Sequence, residues 1–138
     1  MKIILHRQAV KATLGCLRRG ECVGILMDQN LYTGGVFVNF FGRPAATTTL
    51  PALLYLKTGC PVILIHTLRE GDRFRVVYSP PFEFPPMEKS EASIHLYTQI
   101  ISDGFEALVR QYPENWFWIH NRWKRRPETS APVEAVAS

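Results

Sequence analysis

The chain has 138 residues, a formal net charge of +4, 46% apolar residues and 20% charged residues, which is typical of a globular domain and excludes a disordered chain. The apolar runs are too short for the roughly 20 residues that cross a bilayer, and three cysteines without a Cys-x-x-Cys spacing predict neither a disulfide framework nor a metal or cofactor site. The positive charge favours an anionic partner such as a phosphorylated lipid, an anionic membrane or nucleic acid.

The first predicted elements are a helix and a buried strand. The helix covers Ala9–Arg19 and ends at Gly20. The apolar run Cys22–Met27 then predicts a strand buried on both faces, as in a parallel sheet. Asp28 and Gln29 follow this strand, so we expect them at the carboxyl edge of the sheet, where α/β proteins bind ligands.

A loop and a second helix come next. Asn30–Gly35 reads as a loop, and Val36–Phe41 reads as either a strand or an apolar loop that is broken by Gly42–Pro44. Thr47–Thr49 offers an N-cap for an apolar helix over Ala52–Lys57.

The following segment predicts further strands and the longest helix. Pro61–His66 reads as a second buried strand, and Arg69–Asp72 as a turn. Phe74–Tyr78 would pair back as a hairpin strand. The prolines of Pro80–Pro86 require an extended segment, and Glu88–Gln111 has apolar residues at helical spacing.

The end of the chain predicts a helix start, a basic segment and a tail. Pro113–Trp116 reads as the helix start, and residues 128–138 read as a disordered tail after a partial domain over residues 1–127. The alternation of helices and strands predicts an α/β fold with a mostly parallel sheet and flanking helices.

Aromatic and basic residues alternate near the end of the domain. Such a patch suits a membrane interface with anionic head groups, and it also suits nucleic acid. A third interpretation is a docking segment whose tryptophans enter the core while its charges are solvated. The residues predicted to contact lipid head groups are Trp116, Trp118, Arg122, Trp123 and Lys124.

Four blocks of sequence carry a resemblance to a known family. They are Gly24–Gln29, Gly35–Thr49, Thr58–Val62 and Pro113–Pro127. Together they resemble the lipid A biosynthesis lauroyl/myristoyl acyltransferase family. The resemblance implies the C-terminal part of a glycerolipid-acyltransferase-like fold. It also implies transfer of an acyl chain from acyl carrier protein to a hydroxyl of a lipid A precursor, at the cytoplasmic face of the bacterial inner membrane.

The family's signature for catalysis is a His with an Asp or Glu five positions later, in which the His acts as general base. Five positions after His6, His66, His95 and His120 stand Lys11, Gly71, Ile100 and Arg125. The catalytic residues are therefore unassigned, and we expect this chain to be a truncated, inactive part of the enzyme.

Three residues are candidates for substrate binding. Asp28 and Gln29 either face the pocket or cap the following loop, and Arg43 either pairs with a phosphate or sugar of the acceptor or is a solvated loop residue. The rival hypothesis is a non-catalytic binding module for anionic lipid or nucleic acid. Nucleic acid is the less favoured of these two partners, because binding to nucleic acid would not explain the presence of the Gly24–Thr49 block.

Overall fold

The computed structural model describes residues 9–127, so the predicted tail over residues 128–138 lies outside the described residues. The elements alternate between helices and hairpins, which confirms a mixed α/β fold. In chain order they are α1 (Ala9–Arg18), β1 (Val36–Phe40), β2 (Arg43–Thr47), α2 (Leu50–Thr58), β3 (Ile65–Glu70), β4 (Arg73–Tyr78), α3 (Glu91–Gln111) and a 3-10 helix (Pro113–Asn115). Within residues 9–127, no helix is long and apolar enough to cross a bilayer.

The predicted mostly parallel sheet is wrong, because the strands of the described part of the chain form two separate antiparallel pairs. β1 pairs with β2, and β3 pairs with β4. Each pair is joined by a two-residue turn, so consecutive strands are each other's nearest partners. The β3–β4 hairpin is the one that the sequence predicted.

Two apolar runs that predicted buried strands are differently arranged. Cys22–Met27 forms no strand, and only Met27 is buried, whereas Leu26 is 75% exposed. In the other run, Pro61–His66, the strand begins only at Ile65 and its side chain faces solvent. A short apolar run carries no periodicity, so it does not reveal whether a neighbouring strand pairs with it.

The β1–β2 hairpin turns where the sequence predicted a break. Phe41 and Gly42 both have positive φ angles, 54° and 72°, as the two central residues of a type I′ turn do. β2 therefore begins at once with Arg43. Pro44 lies opposite Asn39 and is accommodated because β2 is an edge strand.

The helices agree with the sequence predictions more closely. α1 ends before Gly20 with a φ of 74°, and α2 ends at Gly59 with a φ of 69°. α3 begins after Ser90, whose hydroxyl accepts a hydrogen bond from the Ser93 N–H in a reciprocal cap. The threonine cap of α2 is partly confirmed, because the Thr48 hydroxyl accepts from the Leu50 N–H while Thr49 makes no side-chain cap.

Polar side chains of α3 cover the free edge of β1. His95 Nε2 lies 2.8 Å from the Phe37 carbonyl, and the Gln99 amide bonds both the N–H and the carbonyl of Asn39, at 2.7 and 2.9 Å. Glu106 accepts from the Phe41 N–H at 2.6 Å. These side chains recur on one helix face, so α3 takes the place of a third strand.

Two apolar clusters pack against α3, and the second of them includes the β1–β2 hairpin. In the first, Met27, Leu64 and Ile101 pack with partly buried phenylalanines. In the second, Phe40 and Val109 pack with two tryptophans from the segment that follows α3. We call residues 116–126 the C-terminal strap, because this segment returns from the end of α3 to the β1–β2 hairpin.

Candidate functional site

Asp28 lies at a small cleft between the β1–β2 hairpin, α3 and the C-terminal strap. The cleft has a volume of about 10 Å³, which is the space of one water molecule. Its polar groups converge from four parts of the chain that are distant in sequence. The lining residues are Met27, Asp28, Phe40, Thr47, Ser102, Phe105 and Arg122.

Arg122 forms the cationic wall of this cleft and is only 1% exposed. Its guanidinium donates to the Ala46 carbonyl at 2.7 Å and to the Thr47 hydroxyl, and it lies 5.5 Å from the centre of the Phe40 ring. Among the described residues, none accepts a hydrogen bond from Nε. The Nε–H of Arg122 is therefore a buried donor without a hydrogen-bond partner among the described residues, and it belongs to a side chain that lines the cleft.

Burial lowers the pKa of Arg122 to about 10, and the negative charge of Asp28 acts in the opposite direction. Arg122 is still protonated at neutral pH. The cleft thus holds a desolvated cation close to the Asp28 carboxylate, and each charge partly compensates the other.

The loop before β1 passes very close to the end of β2. A Cβ atom on Gly35, whose φ is 70°, would lie 2.3 Å from the Thr47 carbonyl oxygen. The Leu31 N–H also donates to the Ala46 carbonyl at 3.3 Å. Only glycine allows this approach, which brings Asp28 and β2 to the same cleft.

The other two predicted substrate residues lie outside the lining of the cleft. Gln29 is exposed beside Asp28. Arg43 is exposed at the start of β2, with its guanidinium 4.7 Å from the centre of the Trp123 ring. The structure thus places Asp28 in the cleft, with Gln29 and Arg43 on the surface.

Three hydrogen bonds hold the C-terminal strap against the loop before β1. The Asn30 N–H donates to His120 Nε2 at 2.8 Å, and the Asn30 side-chain oxygen accepts from the Arg125 N–H at 3.0 Å. The Arg125 side chain donates to the Gly34 carbonyl at 2.6 Å. His120 is thus a hydrogen-bond acceptor in the junction between strap and loop.

The residues of the predicted lipid-contact patch divide between the interior and the surface. Trp116 and Trp123 pack on Phe40 with ring centres 5.6 and 5.9 Å away, and Arg122 is buried. Trp118 and Lys124 are exposed. The alternation of aromatic and basic residues did not reveal this division, because the strap has no regular period that assigns side chains to faces.

The remaining histidines of the described part of the chain have structural contacts. His66 stacks on Tyr112 with ring centres 5.8 Å apart, and His95 binds the edge of β1. Across residues 9–127, no three His, Cys, Asp or Glu side chains come together as metal ligands. Ser102, which the sequence did not single out, lines the cleft beside Asp28, together with Thr47, which the sequence indicated as a candidate N-cap.

The sequence of the chain is similar to a family model and to several known proteins. The family model described as bacterial lipid A biosynthesis acyltransferase matches residues 1–125. The chain is 28% identical to the lipid A biosynthesis palmitoleoyltransferase of Escherichia coli over 130 residues, which are 91% of this chain and 41% of that protein.

Two further relatives have similar identities. The lipid A biosynthesis lauroyltransferase of Escherichia coli is 28% identical over 92% of this chain and 42% of its own length. The phosphatidylinositol mannoside acyltransferase of Mycolicibacterium smegmatis is 27% identical over 72% of this chain and 31% of its own length. The chain thus spans about two fifths or less of the length of these relatives.

Proposed function

Because the chain belongs to the bacterial lipid A biosynthesis acyltransferase family, we propose that it is part of an enzyme that moves an acyl chain from acyl carrier protein to a hydroxyl of a lipid A precursor. The observation that carries the proposal is the family match over residues 1–125. Residues 1–127 form one part of a glycerolipid-acyltransferase-like domain, which works at the cytoplasmic face of the bacterial inner membrane.

The names of the relatives suggest two classes of acceptor, a lipid A precursor and a phosphatidylinositol mannoside. The lipid A acyltransferases align with more of this chain than the phosphatidylinositol mannoside acyltransferases do. A lipid A precursor is therefore the acceptor in the proposal, and a phosphatidylinositol mannoside is the alternative acceptor for the same kind of reaction.

Asp28 is the residue of the proposed acceptor site that the geometry supports best. It lines the cleft opposite the buried Arg122, so its carboxylate has a nearby counter-charge and can accept a hydrogen bond from an acceptor hydroxyl. Gln29 supplies an exposed amide next to Asp28 in the chain. Arg43 is fixed on Trp123 and supplies a cation for a phosphate or sugar of the acceptor.

The general base is absent from this part of the enzyme in our proposal. No His of the chain is followed by Asp or Glu at five positions, and the described histidines have the structural contacts given above. The chain contributes the acceptor-side wall of the active site and does not turn over by itself.

The proposal is tested by an acyl-transfer assay with acyl carrier protein as donor and a lipid A precursor as acceptor. The 138-residue chain is compared with a fusion to a segment of a relative that carries the His pair. We expect turnover only in the fusion. Asp28→Asn in the fusion should lower kcat/KM by about tenfold or more, since a positioning contact to the acceptor is lost.

The matched control is Asp72→Asn, which removes an exposed carboxylate in the β3–β4 turn and should leave kcat/KM unchanged. Turnover by the chain alone would mean that one of its own histidines, first His66 or His120, is the base. If neither protein turns over while the chain binds anionic acyl lipid, the non-catalytic binding module is the better explanation.

A further inference from the structure

Three consecutive large apolar side chains project from the C-terminal strap into solvent. Phe117 is 67% exposed, Trp118 55% and Ile119 87%. We call residues 117–119 the strap tip. The tip differs from scattered surface apolar residues because its members are contiguous and belong to one turn, and such contiguous exposed patches mark interaction sites.

The strap tip is held by contacts on both sides. Trp116 packs on Phe40 before it. After it, His120 is bound by the Asn30 N–H and Arg122 is anchored in the interior. The tip is therefore a fixed projection whose exposure follows from the way the strap is anchored.

Three polar groups of the strap tip form hydrogen bonds within the protein. The Trp118 indole N–H donates to the Pro113 carbonyl at 2.7 Å. The Trp118 backbone N–H donates to the Trp116 carbonyl at 2.9 Å, and the His120 N–H donates to the Phe117 carbonyl at 3.1 Å. A turn with these internal bonds loses fewer hydrogen bonds to water when it enters a medium of low polarity.

The charges that follow the strap tip in sequence are all of one sign. Residues 120–127 contain four cations, Arg122, Lys124, Arg125 and Arg126, and no carboxylate, whereas one exposed carboxylate, Glu114, precedes the tip. Arg122 is buried, whereas Lys124 and Arg126 are exposed. Apolar side chains followed by exposed cations match the order of acyl region and anionic head groups at a membrane surface.

We propose that the strap tip, Phe117–Trp118–Ile119, is a membrane-contact element that enters the interface of an anionic bilayer while Lys124 and Arg126 contact the head groups. The inference rests on the proposed function for the lipid class of the substrate, and it adds the surface by which the protein meets the membrane. Phe117 and Ile119 were not among the residues that the sequence predicted to contact lipid.

A lipid surface fits these residues better than nucleic acid does. Ile119 is the most exposed of the three and is aliphatic, so it cannot stack on a base. The Lys124 ammonium lies over the Tyr32 ring at 5.2 Å, and the Arg125 guanidinium lies over the Phe37 ring at 5.1 Å. Each of these two rings thus already has one of the protein's own cations over it, where a base would otherwise stack.

The test measures binding of the 138-residue chain to vesicles of phosphatidylethanolamine with phosphatidylglycerol, and to vesicles of phosphatidylcholine alone. We expect the chain to bind the anionic vesicles and its tryptophan fluorescence to shift to the blue. Trp118→Phe should largely remove this fluorescence shift. Phe117→Ser/Ile119→Ser should weaken the binding by about tenfold or more, because two apolar side chains no longer leave water.

The matched control is Phe74→Ser/Val76→Ser, which removes two exposed apolar side chains from the β3–β4 hairpin. It should bind the anionic vesicles as the unchanged chain does, and circular dichroism should show both variants folded. The inference is overturned if the strap-tip variant binds normally or if the hairpin variant alone loses binding. Equal binding to both vesicle types, or tighter binding to single-stranded DNA, would also overturn it.

Failure of this inference can be distinguished from failure of the proposed function. Acyl transfer by the fusion to a detergent-dispersed acceptor does not require a bilayer, so the strap-tip variant should retain it. Loss of vesicle binding with intact transfer supports the membrane contact. Absent transfer with intact vesicle binding contradicts only the proposed function.

Discussion

The guanidinium of Arg122 connects three parts of the molecule that are far apart in sequence. It donates to the backbone and side chain at the end of β2, lies against Phe40, and faces the cleft that Asp28 lines. A buried cation costs free energy through desolvation, and its hydrogen bonds and the nearby carboxylate offset that cost. The balance determines how firmly the strap is held.

Replacing this cation should therefore destabilise the fold. We expect Arg122→Met to lower the free energy of unfolding by about 2 kcal/mol, since the Thr47 hydroxyl loses its donor and Asp28 loses a counter-charge. Arg122→Lys should recover little of this loss, because an ammonium cannot reproduce the fork of donors. Urea unfolding measures both effects.

The control for this prediction is Arg126→Met, in which an exposed cation of the same strap is removed. Its effect should stay within about 0.5 kcal/mol, as is usual for surface positions. A stable Arg122→Met protein would mean that the desolvation cost of the guanidinium cancels its hydrogen bonds.

At the scale of elements, the junction between α3 and the β1–β2 turn depends on a carboxylate. The Phe41 N–H donates to Glu106 and lowers the pKa of that carboxyl, and Arg110 acts in the same direction while partial burial opposes both. A lowered pKa in the folded state means that the unfolded chain binds more protons in the window below the ordinary value. Stability from this contact is thus present above that value and is lost as the pH falls through the folded pKa.

The prediction is that Glu106→Gln removes this part of the pH dependence. The difference in urea midpoint between the unchanged protein and the variant should be largest near neutral pH and should shrink as the pH falls below the ordinary glutamate value of about 4.3. Arg110→Met should keep most of the dependence, because the Phe41 N–H is the main cause and the ion pair is 62% exposed on its Arg110 side. A constant difference at all pH values would contradict the role of Glu106.

An element could be predicted from the sequence when the pattern that specifies it lies within the element itself, as a helical period or turn residues do. α3 was predicted within three residues at its start because its 21 residues carry a helical period. The β3–β4 hairpin was predicted from its turn chemistry. Cys22–Met27 was wrongly predicted to be a strand of a parallel sheet. A short apolar run does not show which element packs against it, so the sequence alone could not reveal that it forms no strand.

At the scale of the whole molecule, the candidate site was predictable only in part. Asp28 was singled out because it follows an apolar run that was expected to end at a sheet edge. That run forms no strand, yet Asp28 lines a cleft together with other polar groups. The inward direction of Arg122 and the outward direction of Phe117 and Ile119 could not be predicted, since they depend on how the strap is anchored to β2 and to Asn30. Those contacts join residues more than 70 positions apart.

The β3–β4 hairpin leads to the last prediction, which concerns association between molecules. Its register places Ile65 opposite Tyr78 and Arg69 opposite Phe74, with Val76 on the same face, and the four apolar side chains are 50–69% exposed. Both strands are also edge strands with unpaired backbone groups. A face and an edge of this kind favour pairing with a second chain, so we expect self-association that increases with protein concentration.

Sedimentation velocity over a range of concentrations measures this association. Phe74→Ser/Val76→Ser should shift the protein towards monomer, because the apolar area that two copies could bury is reduced. Phe117→Ser/Ile119→Ser should associate as the unchanged chain does, since the strap tip belongs to a different surface. A single monomeric boundary at every concentration would contradict the prediction and show that the exposed hairpin is tolerated in water. If the strap-tip variant became monomeric while the hairpin variant still associated, the association would belong to the strap tip instead.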